Sequence, residues 1–225
     1  MGLVSGSTTP KLLNMHNVMD IQLSFTITFV SLLLSAVLNG IESIRTTIPH
    51  VRHILSLETC IALVAAYFYS IFKSKSTNDW SKLTQLRYLD WAFTTPMMLL
   101  GLCLFLAFNS KTTIGVFTYL GIVLLDYFML YFGYLGDTKQ MDRMSANIVG
   151  FLGYIGIFVV IFKNFVKNNK INYIVFSAYA IIWAMYGFVY FLDEYNKNLV
   201  TNWLDLIAKS VTGICLWTYF TNVLK

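Results

Sequence analysis

Lys209 stands inside an apolar run from Leu199 to Leu224, with Asp205 one helical turn before it in Trp203-Leu-Asp-Leu-Ile-Ala-Lys209. At ~1.5 Å per residue it lies about 15 Å from the start of that run, too deep for its stem to carry the ammonium to water. A charge at that depth costs several kcal/mol unless it is paired or used chemically. A buried lysine sharing a helix face with a carboxylate suits a protonated Schiff base and its counter-ion; the plainer alternative is a pair that only fixes helix packing. Glu58, Arg87, Asp90, Asp126 and Asp205 are further ionisable residues at membrane depth. The densest cluster is Arg87-Tyr-Leu-Asp90-Trp-Ala-Phe-Thr94-Thr95-Pro96, where spacings of three and four put Arg87, Asp90 and Thr94 on one helix face. Pro96 removes a backbone hydrogen bond and is expected to kink the helix beyond them.

The surroundings of these residues are a membrane. Of 225 residues 57% are hydrophobic and 12% charged, too apolar for an ordinary soluble domain. Seven apolar runs are long enough to span, Ile21–Asn39, Ile54–Phe72, Leu86–Phe108, Thr113–Leu135, Ser145–Phe165, Ile171–Leu192 and Leu199–Leu224. Lipid offers a backbone no partners, so each must be a helix. Links as short as Asn109-Ser-Lys-Thr112 make neighbours antiparallel and predict an all-α seven-transmembrane-helix bundle, one domain over 1–225, with termini on opposite sides. The first twenty residues are mixed and polar, so the first helix is expected to be an uncleaved anchor. Cys60, Cys103 and Cys215 fall within spans and read as packing residues; His16, His50 and His53 lie near loops, and no metal-ligand spacing is present. With the amino terminus outside, seven basic residues flank the spans on each side, so the positive-inside count is a tie. The net charge of +5 indicates a basic rim and gives no sign of nucleic-acid binding.

Arg-Tyr-x-Asp-Trp-x-x-Thr-Thr-Pro in the third span and Asp-x-x-x-Lys in the seventh resemble the microbial rhodopsins, and the resemblance extends over all seven spans. It implies all-trans retinal bound covalently to Lys209 as a protonated Schiff base. Asp90 would be the main counter-ion and primary proton acceptor, Asp205 the second counter-ion, and Arg87 the gate to the outer surface. The resemblance also puts the amino terminus outside and the carboxyl terminus in the cytoplasm, and implies a homo-oligomer, trimer or pentamer. Thr94 is placed to bond Asp90 from one turn on. For the chromophore walls the expected residues are Trp91, Thr95 and Met98 on the third helix, Met129 and Gly133 on the fourth, and Phe176, Tyr179 and Trp183 on the sixth. Tyr67 looks like the family tyrosine that bonds the second counter-ion, and Thr95 with Asp126 like an inter-helix pair.

Three departures bear on function. Gly101 stands eleven residues after Asp90, where proton pumps commonly carry a reprotonating carboxylate, and Phe176 and Ala180 stand where many members have tryptophan and proline. Glu58, on the antiparallel second helix at a depth comparable to Gly101, is a candidate internal donor, since a carboxyl in apolar surroundings keeps its proton near neutrality. A donor moved to the second helix resembles rhodopsins of giant viruses. The expected function is therefore light-driven outward proton pumping, with a host cell membrane as the expected location and no enzymatic activity. Asp193 and Glu194 are possible members of a release group, with solvated loop charges as the default. The alternative is a light-gated cation channel in which Glu58 lines a hydrated path; a photosensor needing a separate partner ranks third.

Overall fold

A computed structural model describes residues 9–75, 80–167 and 169–223. The chain forms α1 (Thr9–Arg45), α2 (Pro49–Lys75), α3 (Trp80–Ser110), α4 (Val116–Asp137), α5 (Arg143–Phe165), α6 (Lys170–Val189), α7 (Glu194–Asp205), a π-helical segment (Leu206–Val211) and α8 (Thr212–Val223). The last three are continuous, so seven stretches are long and apolar enough to cross a membrane, the last being Glu194–Thr221. The protein is an integral multi-pass membrane protein. Leu224 and Lys225, counted in the expected seventh span and basic rim, lie outside the described residues, and nothing is described of the His16 side chain.

Observed ends differ from the expected ones where side chains cap them. The seventh span starts at Glu194 rather than Leu199, because Asp193 accepts from the backbone N–H of Asn196 and opens the helix early. The fifth starts at Arg143, capped by Asp142 through the N–H of Ser145. Asn169 caps α6 by accepting from Ile171 and Asn172. Lys111, with φ of 51°, takes the left-handed turn that closes α3.

Pro96 sits inside an unbroken α3. Its ring leaves the carbonyl of Ala92 without the usual i+4 donor, and the Tyr127 hydroxyl of α4 supplies one at 3.1 Å. Two apolar clusters hold the bundle. The smaller joins α1 and α2 with the first turns of α3 through Phe25, Leu32, Tyr69, Phe72 and Leu83; the larger runs from α2 through α3 to α5, α6 and α8 around Leu99, Phe105, Ile157 and Trp183. Between them lies the charged centre. The bundle has an Arg87 side, where α3 and α7 begin, and a Glu58 side, where α1 ends and α2 begins.

Candidate retinal site and proton path

The π-helical segment contains Lys209 and widens the helix by one residue per turn at that point. Nothing in its sequence, which has neither glycine nor proline, announces it. Lys209 Nζ lies 2.7 Å from Asp90 Oδ2 on α3 and 3.8 Å from Asp205 Oδ2 on its own span. All three residues are buried. The closest pairing is thus between helices rather than with the carboxylate one turn before. Thr94 donates to the backbone carbonyl of Asp90 at 2.9 Å and lies 3.5 Å from its Oδ1, so its bond to the carboxylate is the weaker one.

Asp205 is fixed by two phenols. Tyr69 of α2 donates to Oδ2 at 2.8 Å and Tyr186 of α6 to Oδ1 at 2.7 Å. Tyr69, not Tyr67, is therefore the tyrosine on the second carboxylate. Tyr67 is 64% exposed and faces away from the bundle, whereas Ala62, Ala65, Tyr69 and Phe72, spaced with Glu58 at four and three, are buried on the face that it shares. That periodicity was legible in the sequence.

Arg87 is buried one turn toward the first end of α3. Its Nε donates to Asn198 Oδ1 at 2.7 Å and its Nη2 to Asn202 Oδ1 at 2.5 Å, while Nη1 lies 3.7 Å from Asp205. The rings of Phe25, Tyr69 and Phe72 surround it at 5.1–6.0 Å from their centroids. Neither asparagine was expected, although Asn198, Asn202, Asp205 and Lys209 recur at four, three and four along one face.

An apolar cavity opens from Lys209. Its walls include Trp91, Thr95 and Met98 of α3, Met129 and Gly133 of α4, Tyr154 of α5, and Trp183, Tyr186 and Gly187 of α6. Phe176 and Tyr179 do not line it. Phe176 packs on Phe158 and Phe162 of α5 at 5.7 and 5.4 Å, and Tyr179 is buried in the core beyond Trp183. The sixth-helix wall sits farther along the same face than expected, because the depth of Lys209 sets where a chromophore must lie. Trp183 and Gly187 therefore hold the wall positions, and Phe176 and Ala180 lie off the cavity. Thr95 donates to Asp126 Oδ2 at 2.7 Å, joining α3 to α4 behind Trp91.

The residues present fit retinal: a primary amine ends an apolar slot with flat aromatic and thioether walls, and two carboxylates stand on either side of the nitrogen.

On the Glu58 side, Glu58 is 3% exposed. A Cβ built on Gly101 would meet its Oε1 at 3.0 Å, so the position lacking a carboxylate on α3 is the one that leaves room for this carboxyl on α2. On the Arg87 side, Asp193 is an exposed helix cap, and the Asn196 side chain and then its backbone N–H hold its carboxyl below the usual carboxylate range. Glu194 belongs instead to an ion network with Lys197 at 2.9 Å and Arg143 at 3.5 Å, both of which also bind Asp137. Asp137 was not expected. It reads in the sequence as a loop charge, but the Tyr88 hydroxyl at 3.0 Å and the Lys197 ammonium fold it back under the bundle.

The bacteriorhodopsin-like protein family matches residues 19–223. This chain is a microbial rhodopsin. The viral rhodopsin OLPVRII has 34% identity and a TM-score of 0.87, covering 91% of this chain and 99% of that one, which puts the chain with the viral rhodopsins. The green-light absorbing proteorhodopsin of gamma-proteobacterium EBAC31A08 is 25% identical over 211 residues, 86% of this chain and 84% of the relative. In fold it also matches the proton-pumping rhodopsin of the marine alga Acetabularia acetabulum, with 19% identity, a TM-score of 0.75, and 91% and 96% of the two chains covered. Membership implies a retinal chromophore for this rhodopsin.

Proposed function

We propose that this rhodopsin is a light-driven outward proton pump with all-trans retinal on Lys209. The carrying observation is the Lys209 nitrogen held 2.7 Å from Asp90 on one side of the bundle, with a buried carboxyl, Glu58, on the other. Retinal, when bound, supplies light absorption and an isomerisation that re-aims the proton on the Lys209 nitrogen. Asp90 accepts that proton at Oδ2. Both oxygens of Asp205 are already engaged, by two phenols and by Arg87. Glu58 then returns a proton to the Lys209 nitrogen from the opposite side, which gives the transfer its direction. Arg87, tied to two asparagines, separates the Asp90 and Asp205 pair from the exit. The amino terminus lies outside in this arrangement, with protons as the transported ion.

The channel alternative needs a hydrated path continuous through the bundle, whereas Arg87 is buried and enclosed by three rings. Light-induced pH recording in cells given retinal tests the proposal. The medium should acidify, a protonophore should abolish the response, Asp90→Asn should lose it with a shift of absorption to longer wavelength, and Lys209→Ala should form no visible pigment. A photocurrent that reverses with the ion gradient would establish the channel instead.

A further inference from the structure

The inner face of α1 is polar along most of its length. Ser24, Thr28, Ser35 and Asn39 are fully buried, and Glu42 and Ser43 are 8% exposed. Such residues inside a membrane are expensive and need an account. On the Arg87 side they have one, because Asn202 donates to Ser24 at 2.8 Å and accepts from Thr28 at its carbonyl at 3.1 Å.

On the Glu58 side the account is open. The Asn39 amide donates to the carbonyl and hydroxyl of Ser35, at 2.9 and 3.3 Å. Its own oxygen and Glu58 Oε1 are buried acceptors with no hydrogen-bond partner among the described residues. Asn39 Nδ2 and Glu58 Oε2 approach Gly213 of α8, while the unpartnered Glu58 Oε1 faces Gly101 of α3. A Cβ on Gly213 would lie 2.6 Å from Ser35 Oγ, 3.1 Å from Asn39 Nδ2 and 3.5 Å from Glu58 Oε2, so the absence of a side chain keeps polar groups of α1 and α2 facing one small space. Glu42 follows Asn39 by less than one turn, about 4.5 Å nearer the helix end. Its side chain is 11% accessible and meets Arg45, 66% accessible, at 3.9 Å. From Glu58 a polar series therefore leads through Asn39 to a carboxylate beside a solvated cation. On α3, Leu99, Leu102 and Phe105 around Gly101 are buried and apolar.

We propose that Glu58 is refilled along α1, with Glu42 as the entry carboxylate and Asn39 as the positioning residue between them. This rests on Glu58 being the internal donor. After Glu58 has given up its proton, the Glu42 carboxylate takes one from the medium and passes it to the Glu58 carboxylate along water held at the Asn39 amide. One proton enters for each that left, and no bond to carbon changes.

Flash spectroscopy with a pH-indicator dye separates return of the proton to Lys209 from uptake from the medium. Glu42→Gln and Asn39→Val should keep the absorption maximum and the rate of return, while uptake slows by roughly tenfold or more; Glu42→Asp should restore it. Infrared difference spectra give a second readout. The carboxyl band that disappears in Glu58→Gln should move to higher frequency in Asn39→Val, whose side chain offers no hydrogen bond, and an unmoved band would exclude Asn39. Unchanged uptake in Glu42→Gln would overturn the α1 route, and that variant decides the matter even where Asn39→Val fails to fold. Normal return of the proton in Glu58→Gln, or no transport by the unmodified protein, would instead bring down the donor assignment or the pump.

Discussion

Asp90 and Asp205 flank the same nitrogen, but their hydrogen bonding divides the work between them. Asp205 takes a phenol on each oxygen, so protonating it breaks a satisfied arrangement; Asp90 has the ammonium at 2.7 Å and only a long contact to Thr94. Asp205 is thus the more firmly held of the two by neutral donors. Removing one donor from Asp205 should therefore narrow the difference. Tyr69→Phe should lose about 1.5–3 kcal/mol of stability, the usual worth of a hydrogen bond to a charged group, and should shift the absorption maximum. Tyr67→Phe, only two residues away but on the lipid side, should do neither. Equal spectral and thermal behaviour of the two variants, measured on purified pigment, would show that Tyr69 does not hold Asp205.

At the level of elements, legibility followed periodicity. The third-helix cluster and the Asp205–Lys209 pair were readable because residues at three and four on apolar helices must share a face, and Tyr69 and the two asparagines were available to the same test. The π-helical segment was not, since its residues include neither glycine nor proline to mark it. Helix starts were also shifted by caps, which lie in polar stretches outside any hydropathy window. The Asp142 cap on α5 has a measurable signature. Its carboxylate accepts first from the Ser145 backbone N–H and then from the Ser145 hydroxyl, which lowers its pKa below the ordinary value. A depressed carboxylate stabilises the fold above its unfolded pKa and loses that contribution as pH falls through the folded one. Asp142→Ala should thus lower Tm at neutral pH, with the gap to the unmodified protein closing in acid. A gap independent of pH would mean that the cap does not act through its charge.

Across the whole molecule the two sides are sealed by different chemistry. The Arg87 side closes on charges, Asp137, Glu194, Arg143 and Lys197, beside the caged guanidinium. The Glu58 side closes on neutral amides. Asn172, buried in the first turn of α6, donates to the Leu106 carbonyl at 2.9 Å and the Ser110 hydroxyl at 2.8 Å and accepts from Asn109 at 3.0 Å, and Asn109 in turn accepts from Tyr219 of α8. This knot ties α3, α6 and α8 together on that side, so opening α6 to admit a proton would break several bonds at once, whereas the polar face of α1 needs no helix to move. The two routes to Glu58 make opposite predictions for one variant. Asn172→Leu removes the knot and should lower Tm, with about 0.6 kcal/mol of stability lost for each inter-helix bond at the average found in membranes. With the route along α1, dye-detected proton uptake should keep its rate in that variant despite the loss of stability. Uptake that accelerates in Asn172→Leu would mean that the amide knot is the barrier and that the proton enters beside α6.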